Sequence, residues 1–298
     1  MGSYMAKGLS LRVRLLDLNQ TAVPANGSAA LARSRGIVRL SFKKTGESTV
    51  FDTLYQAGCL RIRMPRPEPR ASPEAIVINI AGGLTGGDEI DLAARWGHET
   101  CACLCSQAAE KIYRSTGAVA RVSNNLTIDA NANAEWLPQE TILFDHAALD
   151  RRLEVHVARG AHFIGADSIV FGRTAMGEEV VSGFIRDTWR IRRERRLIYA
   201  DSFRLDGDVA AKLDRTAIGA AARAFGIILL VAECIAQDVL EKLRATFADA
   251  AGRAAASLWD GVLAARFLAR DGESLKHDMM LALSVLRNSR KLPRVWQC

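Results

Sequence analysis

The chain has 298 residues, 49% of them hydrophobic, and a formal net charge of +7 at pH 7. This composition supports a large buried core in one or two domains and excludes a disordered or collagen-like chain. No apolar run reaches the roughly 18 residues of a membrane helix, and MGSYMAKG lacks the layout of a signal peptide. Six cysteines without a CxxC pair indicate free thiols. We therefore expect a soluble cytoplasmic protein with no membrane partner.

Residues 1–213 are predicted to form a mainly β body, because apolar residues alternate over many short segments. The proline-rich stretch Pro65–Pro69 excludes a helix where it joins two of them. Such a series predicts a sandwich, a barrel or a solenoid-like stack, although the segments show no fixed-length repeat. The predicted strands are Leu11–Leu15, Ile37–Phe42, Thr49–Phe51, Ile76–Ile80, Ile90–Ala94, Thr100–Cys105, Ala118–Ile128, Ala134–Trp136, Thr141–Phe144, Leu153–Val157, His162–Phe171 and Trp189–Tyr199.

Residues 214–298 differ from the first part in their periodicity. Ile227–Ala232 and Gly261–Ala269 are typical of strands, whereas Gln237–Arg253 and Ser274–Ser289 have apolar residues at helical spacing. The order strand, helix, strand, helix predicts a small α+β layer that covers one side of the β body. No obvious linker separates the two parts, so they could also form one domain.

A glycine-rich loop with Gly82, Gly83, Gly86 and Gly87 follows the strand predicted at Ile76–Ile80. It lacks the lysine of a P-loop, and it leads into a strand-like segment instead of a helix, which argues against phosphate binding. Paired glycines instead permit positive φ and a close approach of backbones at a tight crossover. Asp88, directly after the loop, is either a turn-stabilising side chain or a carboxylate displayed from a rigid loop.

No catalytic or metal-ligand signature is present in the sequence. Cys101, Cys103 and Cys105 alternate along one predicted strand, which favours apolar packing over a tetrahedral metal site. The histidines show no ligand spacing, and there is no GxSxG elbow. Several acids could form a glycosidase pair, but sequence spacing does not give their separation. They are Glu140, Asp145, Asp167, Glu178 and Asp201.

The densest basic segment runs from Arg186 to Arg196. Trp189, Ile191 and Leu197 are predicted to share its apolar side, which makes a solvated strand face the simplest interpretation. The positive charge also suits an acidic partner. Nucleic-acid binding is disfavoured, because neither aromatic stacking positions nor a recognisable module accompanies the arginines.

Five segments together resemble the UreD family of urease accessory proteins, also called UreH. In order they are Asn79-x-x-Gly-Gly-x-x-Gly-Gly-Asp88, Gln107-Ala-Ala-x-Lys-x-Tyr-Arg-Ser115, Trp136-Leu-Pro-Gln-Glu-Thr-Ile-x-Phe144, Gly172-Arg-x-x-x-Gly-Glu178 and Leu292-Pro-Arg-Val-Trp296. The resemblance implies a right-handed β-helix-like stack of short strands with two late helices. It also implies a protein without catalytic activity that helps UreF and UreG to deliver nickel to apo-urease, with no tightly bound cofactor and nickel only in transit.

The resemblance also suggests roles for individual residues. A transit path for Ni²⁺ needs weak oxygen ligands, because a tight thiolate or histidine cage would trap the ion. On this hypothesis Asp88, Glu140, Asp167 and Asp201 line an internal water-filled passage. Arg173 and Glu178 are expected to form a buried pair that fixes a turn. The candidates for contact with partner proteins are Gln107, Lys111, Tyr113, Arg114, Arg190 and Arg192.

Two functions outside urease maturation remain open from the sequence. A cytoplasmic carbohydrate-active enzyme on a β-helix-like fold would use two of the carboxylates, although only 6% of the residues are aromatic. A basic nucleic-acid-binding protein would show steeply salt-dependent binding. The chain also has Cys105-Ser106 where the family usually has threonines.

Overall fold

The computed structural model describes residues 33–66, 72–173 and 177–297. The strand predicted at Leu11–Leu15 and residues 67–69 of the proline-rich connection lie outside these ranges. Seventeen strands are present in the described chain. They are β1 Arg35–Thr45, β2 Ser48–Gly58, β3 Leu60–Arg63, β4 Glu74–Asn79, β5 Glu89–Trp96, β6 Cys101–Ser106, β7 Glu110–Ile112, β8 Ala120–Ile128, β9 Asn133–Leu137, β10 Thr141–Leu143, β11 Ala148–Val157, β12 His162–Phe171, β13 Ser182–Arg193, β14 Arg196–Asp208, β15 Ala224–Val231, β16 Arg253–Trp259 and β17 Val262–Ala269.

From β4 to β12 the chain passes repeatedly between two sheets. The first sheet has seven strands in the order β14-β13-β11-β8-β5-β1-β2, and its strands β1, β5, β8, β11 and β13 are parallel. The second sheet is built on parallel pairing of β4, β6, β9 and β12. Short strands β7 and β10 pair in parallel beside the end of β12. This arrangement confirms the prediction of a mainly β, solenoid-like stack.

Successive coils of the stack differ in length. Glu89, Arg121, Asp150 and Arg186 are register partners in neighbouring strands, and they are separated by 32, 29 and 36 residues. The insertions are accommodated in the turns between strands, so the register inside each sheet is kept. Unequal coil lengths explain why the sequence shows no fixed-length repeat.

The alternation of apolar side chains places the main core between the two sheets. In β11, for example, Leu149, Leu153, Val155 and Val157 are buried while intervening residues are more exposed. Strand β12 is buried on both faces, which accounts for its nearly continuous apolar sequence. Its second face contributes to another core, formed with the C-terminal helices.

The C-terminal strands extend the second sheet, since β15 pairs with β12 and β17 pairs with β15, both antiparallel. The described helices are α1 Val209–Asp214, α2 Gln237–Thr246 and α3 Gly272–Leu286. Helices α2 and α3 confirm the two predicted helices, whereas α1 was not predicted. The prediction of helix to Arg253 was wrong: a short 3₁₀ turn follows α2, and Arg253 begins β16. None of the helices in the described ranges is long and apolar enough to cross a bilayer.

Strands β13 and β14 form a hairpin where the sequence predicted one strand, Trp189–Tyr199. Its turn places Glu194 and Arg195 at φ +46° and +68°. A bulge at Ile191/Arg192 makes Leu197 the register partner of Arg192. Trp189 and Ile191 are buried as predicted, but Leu197 is 44% exposed. Its assignment to the apolar side was wrong, because the turn and the bulge change the alternation.

Candidate functional site

The glycine-rich loop packs closely against β7 and the turn after it. The backbone N–H of Leu84 donates to the Lys111 carbonyl at 2.7 Å, and that of Tyr113 donates to the Leu84 carbonyl at 2.7 Å. A Cβ at Gly83 would lie 2.7 Å from the Lys111 oxygen, and one at Gly86 would lie 2.3 Å from the Ala118 oxygen. These contacts confirm that the glycines permit a close backbone approach.

The Asp88 side chain forms hydrogen bonds with the backbone of this loop and of the chain just before β1. One carboxylate oxygen accepts the Ser34 backbone N–H at 2.8 Å, and the other accepts the Thr85 backbone N–H at 2.8 Å. The side chain is buried, and the Asp88 carbonyl accepts a further bond from Arg121 N at 2.8 Å. Of the two roles left open from the sequence, these contacts are those of a turn-stabilising carboxylate.

A buried charge cluster lies between the two sheets. Arg151 on β11 is the register partner of Asp187 on β13, and its guanidinium donates two hydrogen bonds to the Asp187 carboxylate at 2.8 and 3.1 Å. It also lies 3.0 Å from Asp167 on β12 and donates to Thr141 Oγ1 at 2.8 Å. All three charged residues are more than 90% buried. One arginine thus faces two aspartates.

A cavity of about 90 Å³ that is partly open to solvent adjoins this cluster. Most of its wall is apolar, but polar residues from several coils also line it. These polar residues are Ser106, Glu110, Asn124, Gln139, Thr141, Arg151 and Asp167. Since one water molecule occupies ~30 Å³ in the liquid, the cavity has room for two or three water molecules.

The environment of the cavity raises the pKa of two carboxyl groups. Burial raises the pKa of Glu110 to about 7, although a hydrogen bond from Asn79 Nδ2 at 3.0 Å opposes the shift. Burial also raises the pKa of Asp167, because desolvation outweighs the favourable field of Arg151 and the negative charge of Asp187 adds to it. Both groups therefore exchange protons near neutral pH.

Two residues that line the cavity, Trp136 and Gln139, each have a buried side-chain N–H donor, Nε1 and Nε2, that bonds to no described residue. Buried donors of this kind are normally satisfied by water. Together with the carboxyl groups, these donors suit a hydrated polar ligand. In the described chain no group of three or more His, Cys, Asp or Glu side chains is arranged to hold a metal ion.

Glu140 lies on the far side of Gln139. It lines a small second cavity of about 10 Å³ that Gln139 also borders, beside Gly272 at the start of α3. The Glu140 carbonyl accepts the backbone N–H of Glu110 at 2.9 Å. Glu140 and Asp167 are therefore near neighbours of the same glutamine.

Asp201 occupies a different environment. Its carboxylate accepts hydrogen bonds from Arg266 at 2.7 Å and from the Tyr199 hydroxyl at 3.0 Å. Because Arg266 lies on β17 and Asp201 on β14, the pair bridges the two sheets. Neither Asp88 nor Asp201 lines the cavity beside Arg151. Of the four acids predicted on a metal path, the fold brings Asp167 to the cavity and Glu140 to its neighbour.

The segment after β6 presents several predicted partner contacts at the surface. Gln107, Lys111 and Arg114 are exposed, and Tyr113 is 38% exposed. The Tyr113 hydroxyl donates to the Gly82 carbonyl at 3.2 Å, and its ring meets Phe144 edge-on with centroids 4.9 Å apart. The segment is therefore a rigid surface that rests on the glycine-rich loop.

Arg173 and Glu178 form the predicted ion pair, with Nε 2.7 Å from the carboxylate. The Arg173 guanidinium also lies 4.5 Å above the Phe144 ring. However, the arginine side chain is 44% exposed. The expectation of a buried pair was wrong, because the guanidinium stacks on an aromatic ring at the surface.

Cys103 and Cys105 lie in the core that β6 shares with the C-terminal helices. A hydrogen bond with Cys105, followed by burial, raises the pKa of the Cys103 thiol well above its usual value. Both thiols pack among apolar side chains of this core, as predicted. Cys101 is half-buried, and its sulfur accepts a hydrogen bond from Ser72 at 3.0 Å.

Comparison with known proteins assigns this arrangement to a family. The family model of the UreD urease accessory protein matches residues 34–297. The chain belongs to the UreD family. The urease accessory protein UreD of Rhizobium leguminosarum bv. trifolii is 43% identical over 264 residues, which cover 89% of this chain and 95% of that protein. UreD of Rhodopseudomonas palustris is 42% identical, over 90% of this chain and 93% of that protein.

A third UreD, from Agrobacterium fabrum, is 39% identical over 89% of this chain and 91% of its own length. Since the relatives are named urease accessory proteins, family membership places this chain in urease maturation and not among carbohydrate-active enzymes. The resemblance carried by the five sequence segments is confirmed.

Proposed function

We propose that this UreD-family protein delivers nickel to apo-urease in the cytoplasm, together with UreF and UreG, and that Ni²⁺ passes through the cavity between its sheets. Family membership supports the role in maturation. The observation that carries the passage is the cavity beside Arg151, with the carboxyl groups of Glu110 and Asp167 in its wall. Carboxyl groups whose pKa values are raised by burial beside a cavity are characteristic of functional sites.

The chemistry of the cavity suits a transient divalent ion. Carboxylate, amide and hydroxyl oxygens bind Ni²⁺ less tightly than a cluster of thiolates or imidazoles, so the ion is released easily. Glu110 and Asp167 hold protons near pH 7 and lose them when a cation arrives. Gln139 lies between this cavity and the space beside Glu140, which gives the ion a continuation toward α3.

Two surfaces are proposed for the partner proteins. One is the rigid segment with Gln107, Lys111, Tyr113 and Arg114. The other is the outer face of β13, where Arg190 is exposed and Arg192 is half-buried. Both surfaces are polar and charged, as is common for the rim of a reversible interface.

The passage is tested by replacing Glu110→Gln and Asp167→Asn together in cells that assemble urease. We expect urease activity and nickel per urease to fall several-fold, because the cavity loses its two ionisable ligands. Co-purification of the variant with UreF, UreG and apo-urease should persist, since the exposed side chains proposed to contact the partners are unchanged.

The matched control is Glu241→Gln, which removes an exposed acid from α2. Urease nickel content should stay at the wild-type value in the control. Unchanged nickel content in the double variant would place the path elsewhere, and loss of the complexes would mean that the changes act through folding.

A further inference from the structure

The outer face of the first sheet carries four rows of side chains across β8, β11, β13 and β14. The parallel and antiparallel registers set these rows, and outward positions alternate with the buried core positions. They are Arg121-Asp150-Arg186-Arg204, Ser123-Arg152-Thr188-Ser202, Asn125-Glu154-Arg190-Ala200 and Thr127-His156-Arg192-Leu197. The rows contain six arginines and two acids, an excess of four positive charges.

A groove of about 300 Å³ lies in the middle of this face. We call it the arginine groove, and it is lined by Arg152, Glu154, Arg186, Thr188, Arg190 and Ser202. The Thr188 and Ser202 hydroxyls lie 3.5 Å apart across β13 and β14. Arg152 and Arg190 occupy diagonal positions on neighbouring strands, so their side chains flank the hydroxyls.

The charges in the groove are only partly neutralised. Arg186 is paired with Asp150 on the adjacent strand. Arg152 and Arg190 form no ion pair with any residue in the described ranges, and Glu154 is the single acid of the lining. The pKa of Asp150 is lowered, first by the hydrogen bond from Arg186 and also by the charges of Arg152 and Arg121. The positive charge of Arg152 thus acts on the carboxylate of Asp150 in the neighbouring row.

This chemistry selects a carboxylate partner. A guanidinium presents paired donors that match a carboxylate, and the adjacent hydroxyls add further hydrogen bonds. The lining has no aromatic side chain on which a nucleic-acid base could stack. Arg186 and Arg190 are four residues apart on β13, so the groove arginines extend over about 13 Å along the strand, which exceeds one small anion and matches a short protein segment.

We propose that the arginine groove binds an acidic segment of a partner protein. The proposal rests on the proposed function in one respect, namely that the chain acts within an assembly of proteins. Arg152 and Arg190 make the charged contacts, and Thr188 and Ser202 orient the carboxylates. Glu154 sets the position of the bound segment along the groove, because it repels an acidic residue placed opposite it and attracts a basic one.

The test uses the full chain and a fluorescein-labelled deca-glutamate peptide, with binding measured by anisotropy at several salt concentrations. We expect Arg152→Gln with Arg190→Gln to weaken peptide binding at least ten-fold and to flatten its salt dependence. The matched control, Arg121→Gln with Arg204→Gln, removes the same charge from the same face outside the groove and should weaken binding less than three-fold. Thermal melting checks that all variants remain folded.

Other results overturn the proposal. These are no binding of the peptide by the wild-type chain, equal losses in both double variants, or tighter binding of a DNA duplex that is lost in the groove variant. The proposed function is tested separately, in cells whose own copy of this protein has been deleted. It fails if the wild-type chain does not restore urease activity in those cells. Peptide binding does not depend on that readout.

Discussion

Glu110 is the residue whose environment makes the clearest prediction about pH. Its pKa is about 7 in the folded chain, against an ordinary value of 4.5, because burial disfavours the carboxylate. The folded state therefore holds the proton to higher pH than the unfolded state. Stability falls as pH rises from about 4.5 to 7, by roughly 3 kcal/mol for this group.

We expect Glu110→Gln to remove this loss, because the amide does not ionise. Denaturant unfolding of the wild type and the variant at pH 5 and pH 8 measures it. The variant should gain stability relative to the wild type at pH 8, and the difference should be smallest at pH 5. A difference that is the same at both pH values would show that Glu110 titrates normally.

The sequence identified candidate acidic residues but did not show which of them lie close together in the folded chain. Asp167 and Glu140 line neighbouring cavities, whereas Asp88 and Asp201 have bonds that hold a turn and join two sheets. Arg151 and Asp187 were missed. The signal for both was a charged residue at an inward position of an alternating strand, in Leu149-x-Arg-x-Leu153 and Ile185-x-Asp-x-Trp189. Their pairing required the register between β11 and β13.

The glycine-rich loop is an element whose geometry depends on missing side chains. Gly83 has φ +149°, and a Cβ there would lie 2.5 Å from the Tyr113 ring and 2.7 Å from the Lys111 carbonyl. Gly82 has φ +77°, and a Cβ there would meet nothing within 4 Å. The two glycines differ therefore in crowding, while both have positive φ.

We expect Gly83→Ala to destabilise the chain by about 2–4 kcal/mol, since backbone strain adds to overpacking against a carbonyl. Gly82→Ala is the matched control and should cost about 1 kcal/mol, from backbone strain alone. Urea unfolding measures both. Equal costs would show that β7 moves away from the loop without penalty.

At the level of strands, alternation predicted most of the stack, and errors arose where neighbouring chain changed the pattern. The hairpin at Glu194 and Arg195 was read as one strand, because arginines on the outer face continue through the turn. The helix predicted before β16 was extended to Arg253, the first residue of that strand, and the rest of this edge strand was not predicted. The position of this turn and the extent of this edge strand depend on tertiary strand pairing and not on local propensity.

A buried ion cluster joins strand β9 to the segment that follows α3. Glu135 on β9 accepts hydrogen bonds from Arg287, just after α3, at 2.9 and 3.1 Å, and from Arg290 at 2.7 Å. Trp296 Nε1 also donates to the Leu137 carbonyl at 2.9 Å. These bonds attach the end of the chain to the solenoid-like stack, at positions far apart in sequence.

We expect Glu135→Gln to destabilise the chain by about 3–5 kcal/mol, because it leaves the buried Arg287 charge without its counterion. Arg290→Gln should cost about 1 kcal/mol or less, since that arginine is half exposed and Glu135 keeps its buried partner. Hydrogen exchange then distinguishes a local from a global effect. In the Glu135 variant, protection should fall first in α3 and last in β8 and β11, because α3 precedes Arg287 directly, whereas β8 and β11 belong to the other sheet. A uniform loss of protection would instead mean that the helical layer and the stack unfold as one unit, with Glu135 stabilising both equally.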